Sequence, residues 1–179
     1  MNDSKNTRPT ASRHSAAYHK ALSHQAAGDL PQAQRILKRM VRIDPQHAEA
    51  WHRLGIVERQ GGDTERAAHC LAQAVSLDAQ RSEFLRDLGS IYLELGRIDD
   101  AVDSLQQAIQ TDPENAELHL SLGVVLLQQG NQIGAKFQFQ KTIRLRPDNL
   151  LAWHQLGNLF EAQGNLEEAA ECFRRVRGG

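Results

Sequence analysis

The chain has 179 residues, 21 of them basic and 22 acidic, for a net charge of −1. That is enough for one ordinary domain with its own core, but it gives no bulk field to recruit nucleic acid or an anionic membrane. No apolar run approaches the roughly 20 residues that span a bilayer. The opening MNDSKNTRPTASRHSAA also lacks the apolar segment of a secretory signal, so the cytoplasm is the expected compartment.

In chain order, residues 1–13 are polar, with no aliphatic side chain larger than alanine after Met1. They cannot offset their ordering entropy and are expected to form a disordered tail. From residue 14 a 34-residue frame takes over. Gly28, Gly62, Gly96, Gly130 and Gly164 recur at that interval, and Ala33, Ala67, Ala101, Ala135 and Ala169 follow five residues behind each glycine. Such a period is the signature of a repeat architecture. It divides the chain into repeats at 14–47, 48–81, 82–115, 116–149 and 150–179.

The first repeat is regular only in its second half. Lys20 and Ala21 stand where later repeats have Leu-Gly, and His24 stands where the third has Tyr92. A terminal repeat has no neighbour on one side, so polar substitutions there cost little. The third repeat, Ser82–Asn115, shows the frame most completely. Leu85, Leu88, Tyr92 and Leu95 follow a helical step, as do Ala101, Leu105, Ala108 and Ile109. No period-two alternation supports a strand.

Gly96, between the two runs, suits a left-handed residue at a helix C-terminus. Gly89 and Ala101, small in mid-helix, imply a close approach of two helix axes. Asn115 and Asn149 are placed as N-caps of the helices that follow. The last repeat keeps Leu156, Leu159, Phe160, Phe173 and Val176 as apolar as an internal repeat. Arrays of this kind usually finish on a polar capping helix. The expectation is that the chain is the front part of a longer protein, or that it self-associates through this uncapped last repeat.

The eight histidines show no His-x-x-x-His spacing. Without Cys-x-x-Cys either, they read as scattered solvent-facing residues rather than metal ligands. Cys70 and Cys172 occupy the same frame position three repeats apart, too far for a disulfide, and read as reduced thiols on helix surfaces or partly buried. Gly61-Gly62-Asp63 is an inter-helix turn, not a phosphate loop. No nucleophile–base or paired-carboxylate arrangement stands out, so the expectation is a non-enzyme without cofactor or metal. Trp51, Trp153, Tyr92, Phe139 and Phe173 lie on frame positions and read as core. Phe137 falls where other repeats carry Arg35, His69, Asp103 and Glu171, and is expected to face solvent.

W-x-x-L-G at Trp51–Gly55 and Trp153–Gly157, with G-x-x-x-x-A and Asp-Pro, resembles the tetratricopeptide repeat. The resemblance covers essentially residues 14–179. It implies an all-α solenoid of about five helix-turn-helix repeats wound into a right-handed superhelix, with first helices on the concave wall. It also implies a protein–protein interaction module or scaffold that binds a protein or peptide segment in the groove.

Carried onto this chain, the family's groove positions include His52, Ile56, Arg59, Arg86, Ser90, Leu93 and Glu94. They continue with Leu120, Val124, Leu127, Gln128, His154 and Asn158. Leu120, Val124 and Leu127 share one helix face, where they either expose an apolar patch or are partly covered by neighbouring repeats. Glu49, Glu83 and Glu117 form a row at one position, although an acid in a first helical turn is favoured by the helix dipole alone. The lysine–asparagine–arginine clamp of chaperone-binding relatives is absent, since Tyr18/Leu22, His52/Ile56 and Arg86/Ser90 stand there. The asparagine ladder of glycosyltransferase members is missing too. The alternative to a free-standing binding module is the N-terminal substrate-recruiting region of a longer enzyme, such as a bacterial glycosyltransferase or sulfotransferase.

Overall fold

The computed structural model describes residues 8–178, with side chains from residue 15 onward. Residues 1–7 of the expected tail lie outside the described residues, and residues 8–13 of it form the first turns of a helix. The described residues are all-α, and the chain divides into two compact units, residues 1–79 and 80–179.

The N-terminal unit holds α1 (Arg8–Ala26), α2 (Leu30–Ile43), α3 (Ala48–Gln60) and α4 (Thr64–Leu77). The C-terminal unit holds α5 (Ser82–Glu94), α6 (Ile98–Thr111), α7 (Ala116–Gln128), α8 (Gln132–Leu145), α9 (Leu150–Ala162) and α10 (Leu166–Gly178). Within each unit consecutive helices pack pairwise, and in the second α5 also touches α7.

The frame residues do the backbone work expected of them. At the end of α5, Gly96 has φ +72°, and the same left-handed turn recurs at the other four frame glycines. There the Arg97 N–H donates to the Tyr92 carbonyl at 2.8 Å and the Gly96 N–H to Leu93 at 3.0 Å. These bonds satisfy carbonyls that the helix end would leave orphaned. Asn115 and Asn149 cap α7 and α9, accepting from the Glu117 and Ala152 N–H groups at 3.1 and 2.9 Å. Asp29, Asp63 and Asn131, each directly after a frame glycine, cap the second helices in the same way. A side-chain cap of this kind contributes about 1 kcal/mol.

Close approach of helices explains the mid-helix glycines. A Cβ on Gly89 would lie 2.9 Å from Leu105 Cγ and 3.3 Å from the Ala101 carbonyl. In the next repeat Phe139 replaces that leucine, and a Cβ on Gly123 would lie only 2.5 Å from its ring. Phe139 and Ala135 are fully buried in the C-terminal unit's core, which runs on through Leu122, Val125, Leu156 and Cys172.

Trp51 and Trp153 each pack by the side of a helix and donate the indole N–H to a proline carbonyl six residues earlier. The partners are Pro45 at 2.9 Å and Pro147 at 2.8 Å. His119 fills the same slot in the fourth repeat. Its Nε2 lies 2.9 Å from the Pro113 carbonyl, its Nδ1 2.7 Å from Gln138 Oε1, and it is 6% exposed. His52 is buried as well. The reading of all eight histidines as solvent-facing is therefore corrected at these two. At His119 the cause is that an imidazole can stand in for an indole as an N–H donor inside the packing. Cys70 and Cys172 are free thiols, both more deeply buried than the sequence suggested.

The N-terminal unit's core gathers Ala21, Leu37, Met40, Leu54, Val57 and Cys70. Into it reaches a charged side chain, Glu58, 2% exposed. Gln34 of α2 donates to its Oε2 at 2.7 Å, and the Lys38 ammonium lies 3.0 Å from its Oε1. Burial, with the adjacent Glu58 carboxylate adding to it, pushes the Cys70 thiol up to about 11.

Candidate functional site

The frame puts the expected binding residues on first helices, and each unit presents its own set. In the N-terminal unit they come from α3. Ile56 is half-buried, Arg59 is exposed, and His52 is closed over. Beside them the Gln25 amide of α1 donates to Gln60 of α3 at 2.9 Å, tying the two first helices together. Tyr18 stacks on His47 with ring centroids 6.0 Å apart, and His47 also accepts from the Ala50 N–H as the cap of α3.

The C-terminal unit brings together more of the set. On α5 the Arg86 guanidinium holds Asp87 through Nε and Nη2 at 3.1 and 2.9 Å, and the Ser90 hydroxyl donates to the Arg86 carbonyl. Leu93 is half-buried and Glu94 is exposed one residue further on. On α7, Val124 and Leu127 rest partly exposed against the unit's core, with Gln128 exposed beside them. Leu120 is only 8% exposed and belongs to that core. The apolar strip is therefore narrower than three full side chains. On α9, His154 and Asn158 are exposed and 3.3 Å apart, and the imidazole lies 5.9 Å from the Phe173 ring.

The acidic row is partly spent inside the molecule. Glu117 accepts from Arg146 at 2.7 Å, and Glu49 lies 3.5 Å from His47 Nδ1. All three acids sit in the first turns of their helices, where the dipole favours them. Phe137 is 61% exposed, as its place in the frame required. One turn before it Ile133 is 85% exposed, a second apolar departure, at a frame position held elsewhere by Pro31, Glu65, Asp99 and Glu167, that the reading of the sequence passed over. No helix among the described residues is long and apolar enough to cross a membrane.

Against known proteins, the family model described as the C-terminal domain of cilia and flagella-associated protein 70 matches residues 9–150. A tetratricopeptide-repeat model matches residues 150–177. No curated protein matches in sequence. Among solved structures, a crystal structure of MamA is 27% identical with a TM-score of 0.83, the alignment covering 88% of this chain and 92% of that one. PilF of Pseudomonas aeruginosa is 24% identical with a TM-score of 0.84, covering 93% and 76%. MamA residues 41 to the end from Desulfovibrio magneticus RS-1 is 20% identical with a TM-score of 0.85, covering 92% and 93%. With its glycine turns, small-residue helix contacts and paired-helix order, the chain belongs to the tetratricopeptide-repeat family.

Proposed function

We propose that the chain is a protein-binding module that holds a segment of a partner protein on the first-helix face of its C-terminal unit. The observation that supports this is the strip of Leu93, Val124 and Leu127. These apolar side chains pack against the unit's core yet stay partly open, and Glu94, Gln128, His154 and Asn158 of the same unit's first helices are polar and exposed. An apolar centre with a polar rim is the arrangement by which a few anchor side chains carry most of a binding energy. Either an extended or a helical segment would satisfy it, with one aliphatic side chain seated over Val124 and Leu127.

The test is site-specific photo-crosslinking in a lysate of the source cell. A photoreactive residue at Gln128 is expected to capture a discrete partner, and one at exposed Gln140 on α8 to capture none. Val124→Glu is expected to abolish the adduct with little change in melting. Leu120→Glu, at a buried position, is expected to unfold the unit, with a loss of roughly 3 kcal/mol or more. Equal adducts from both crosslinker positions, or an adduct unaffected by Val124→Glu, would overturn the reading.

A further inference from the structure

Charge is not spread evenly along the chain. Residues 1–47 hold eight lysines and arginines against three aspartates, a net of +5, while residues 48–179 hold thirteen against nineteen, a net of −6. The basic excess concentrates on α2, which carries Arg35, Lys38, Arg39 and Arg42 and no acid. Lys38 is committed to Glu58. No ion pair among the described residues involves Arg35, Arg39, Arg42 or Lys20 of α1. Four cations on one helix pair are thus left without a carboxylate among the described residues.

These cations surround a hollow. α1 and α2 enclose an open concavity of about 1400 Å³, to which α1 gives Ala17, Lys20 and His24 at successive helical turns. His24 is held by Asp29 at 3.1 Å and adds no free charge. The apolar lining comes from Ile36, Met40 and Ile43. Met40 is 5% exposed, whereas Ile43 stands 59% exposed. The hollow therefore joins an aliphatic lining to a cationic rim, a combination that narrows what fits.

A nucleic-acid duplex would use the cations but leave the aliphatic lining idle, since its backbone offers only phosphates and sugars. A membrane surface is met by apolar side chains that protrude into it, whereas these line a concavity. A protein segment carrying carboxylates on both sides of an aliphatic side chain uses both features. We propose that the hollow between α1 and α2 is a second docking site, taking an acidic segment of a partner protein with one leucine- or isoleucine-sized side chain against Ile36 and Ile43. The unpaired cations steer the segment in from beyond contact distance and fix its register.

The test uses the full chain and a fluorescein-labelled glutamate–leucine peptide of about 14 residues, with leucines one helical turn apart. An all-glutamate peptide of equal length, a DNA duplex and phosphatidylserine vesicles are the competing probes. The glutamate–leucine peptide is expected to bind best, and more weakly as salt shortens the screening length from about 10 Å at 0.1 M. Arg35→Glu with Arg39→Glu is expected to weaken it at least about tenfold, and Ile43→Ser about threefold. Reversing Arg144 and Arg177 instead, the same change in net charge, is expected to leave it unchanged. Circular dichroism checks that each variant stays folded. Four results would overturn the proposal: no peptide binding; indifference to the Arg35/Arg39 reversal; tighter binding of the duplex or vesicles; or self-association of the chain that the same reversal abolishes.

Discussion

At one slot of the repeat the two units make opposite choices. In the C-terminal unit Lys136 of α8 places its ammonium 4.5 Å over the Phe160 ring of α9, and Val102 and Leu126 take the equivalent places in the apolar core. In the N-terminal unit the same pair of positions is Gln34 and Glu58, joined by a 2.7 Å hydrogen bond. The same slot between consecutive helices thus takes a cation over an aromatic ring, an aliphatic pair or a buried carboxylate. The difference lies in what each costs. The aliphatic pair gains from burial and the Lys136 ammonium from the quadrupole of the ring beneath it, whereas Glu58 requires Lys38 and Gln34 to offset its loss of water.

The contrast can be broken most severely from the apolar side. Phe139→Ala empties the centre of the C-terminal unit's core and is expected to cost about 3–5 kcal/mol. It should be read as lost hydrogen-exchange protection in α7 and α8. The N-terminal unit offers a sharper test. Lys38→Met leaves Glu58 buried beside an apolar neighbour and is expected to cost up to about 3 kcal/mol, softened because Lys38 is itself about half exposed. Adding Glu58→Leu, the residue that Leu126 supplies in the other unit, is expected to recover that loss. Recovery in the double variant, followed by urea unfolding, would show that the slot tolerates either chemistry but not half of one.

The smallest effect is a pH dependence. The Cys70 thiol is raised from 9.0 to about 11 when folded. The folded form therefore holds its proton where the unfolded chain releases it. Stability from this source is intact below about pH 9, declines as pH rises toward 11, and is flat beyond. Cys70→Ala is expected to remove that part of the alkaline slope and Cys172→Ala, because burial raises that thiol too, to remove a separate part of it, as read from denaturation midpoints across that range.

What the sequence made legible follows from how local each cause is. Gly96 and Asn149 are dictated by their own backbone, and both behave as the 34-residue frame requires. Gly89 was readable because a glycine in mid-helix has few reasons other than crowding. Glu58 was not, because in Val-Glu-Arg-Gln it looks like an ordinary surface acid, and both partners lie on another helix twenty or more residues earlier. His119 was misread for a related reason, since its role depends on a tryptophan slot that only the packing identifies. Among the candidate contacts, Leu120 shows the limit of helical periodicity. It shares a face with Val124 and Leu127 in sequence, yet it alone is closed over. The basic hollow escaped a whole-chain charge of −1, which sums away two opposite excesses.

The bond between an indole and a proline carbonyl has a practical outcome. The chain has two tryptophans, Trp51 in one unit and Trp153 in the other, each tethered in the same way. Their emission is a matched pair of optical probes, one for each unit. His119 shows which replacement silences one without releasing the turn it holds, since an imidazole keeps the donor that phenylalanine would lose. Trp153→His leaves a molecule whose fluorescence reports the N-terminal unit alone, and Trp51→His its converse. The order in which the two units loosen can then be watched in the intact chain, without an attached dye.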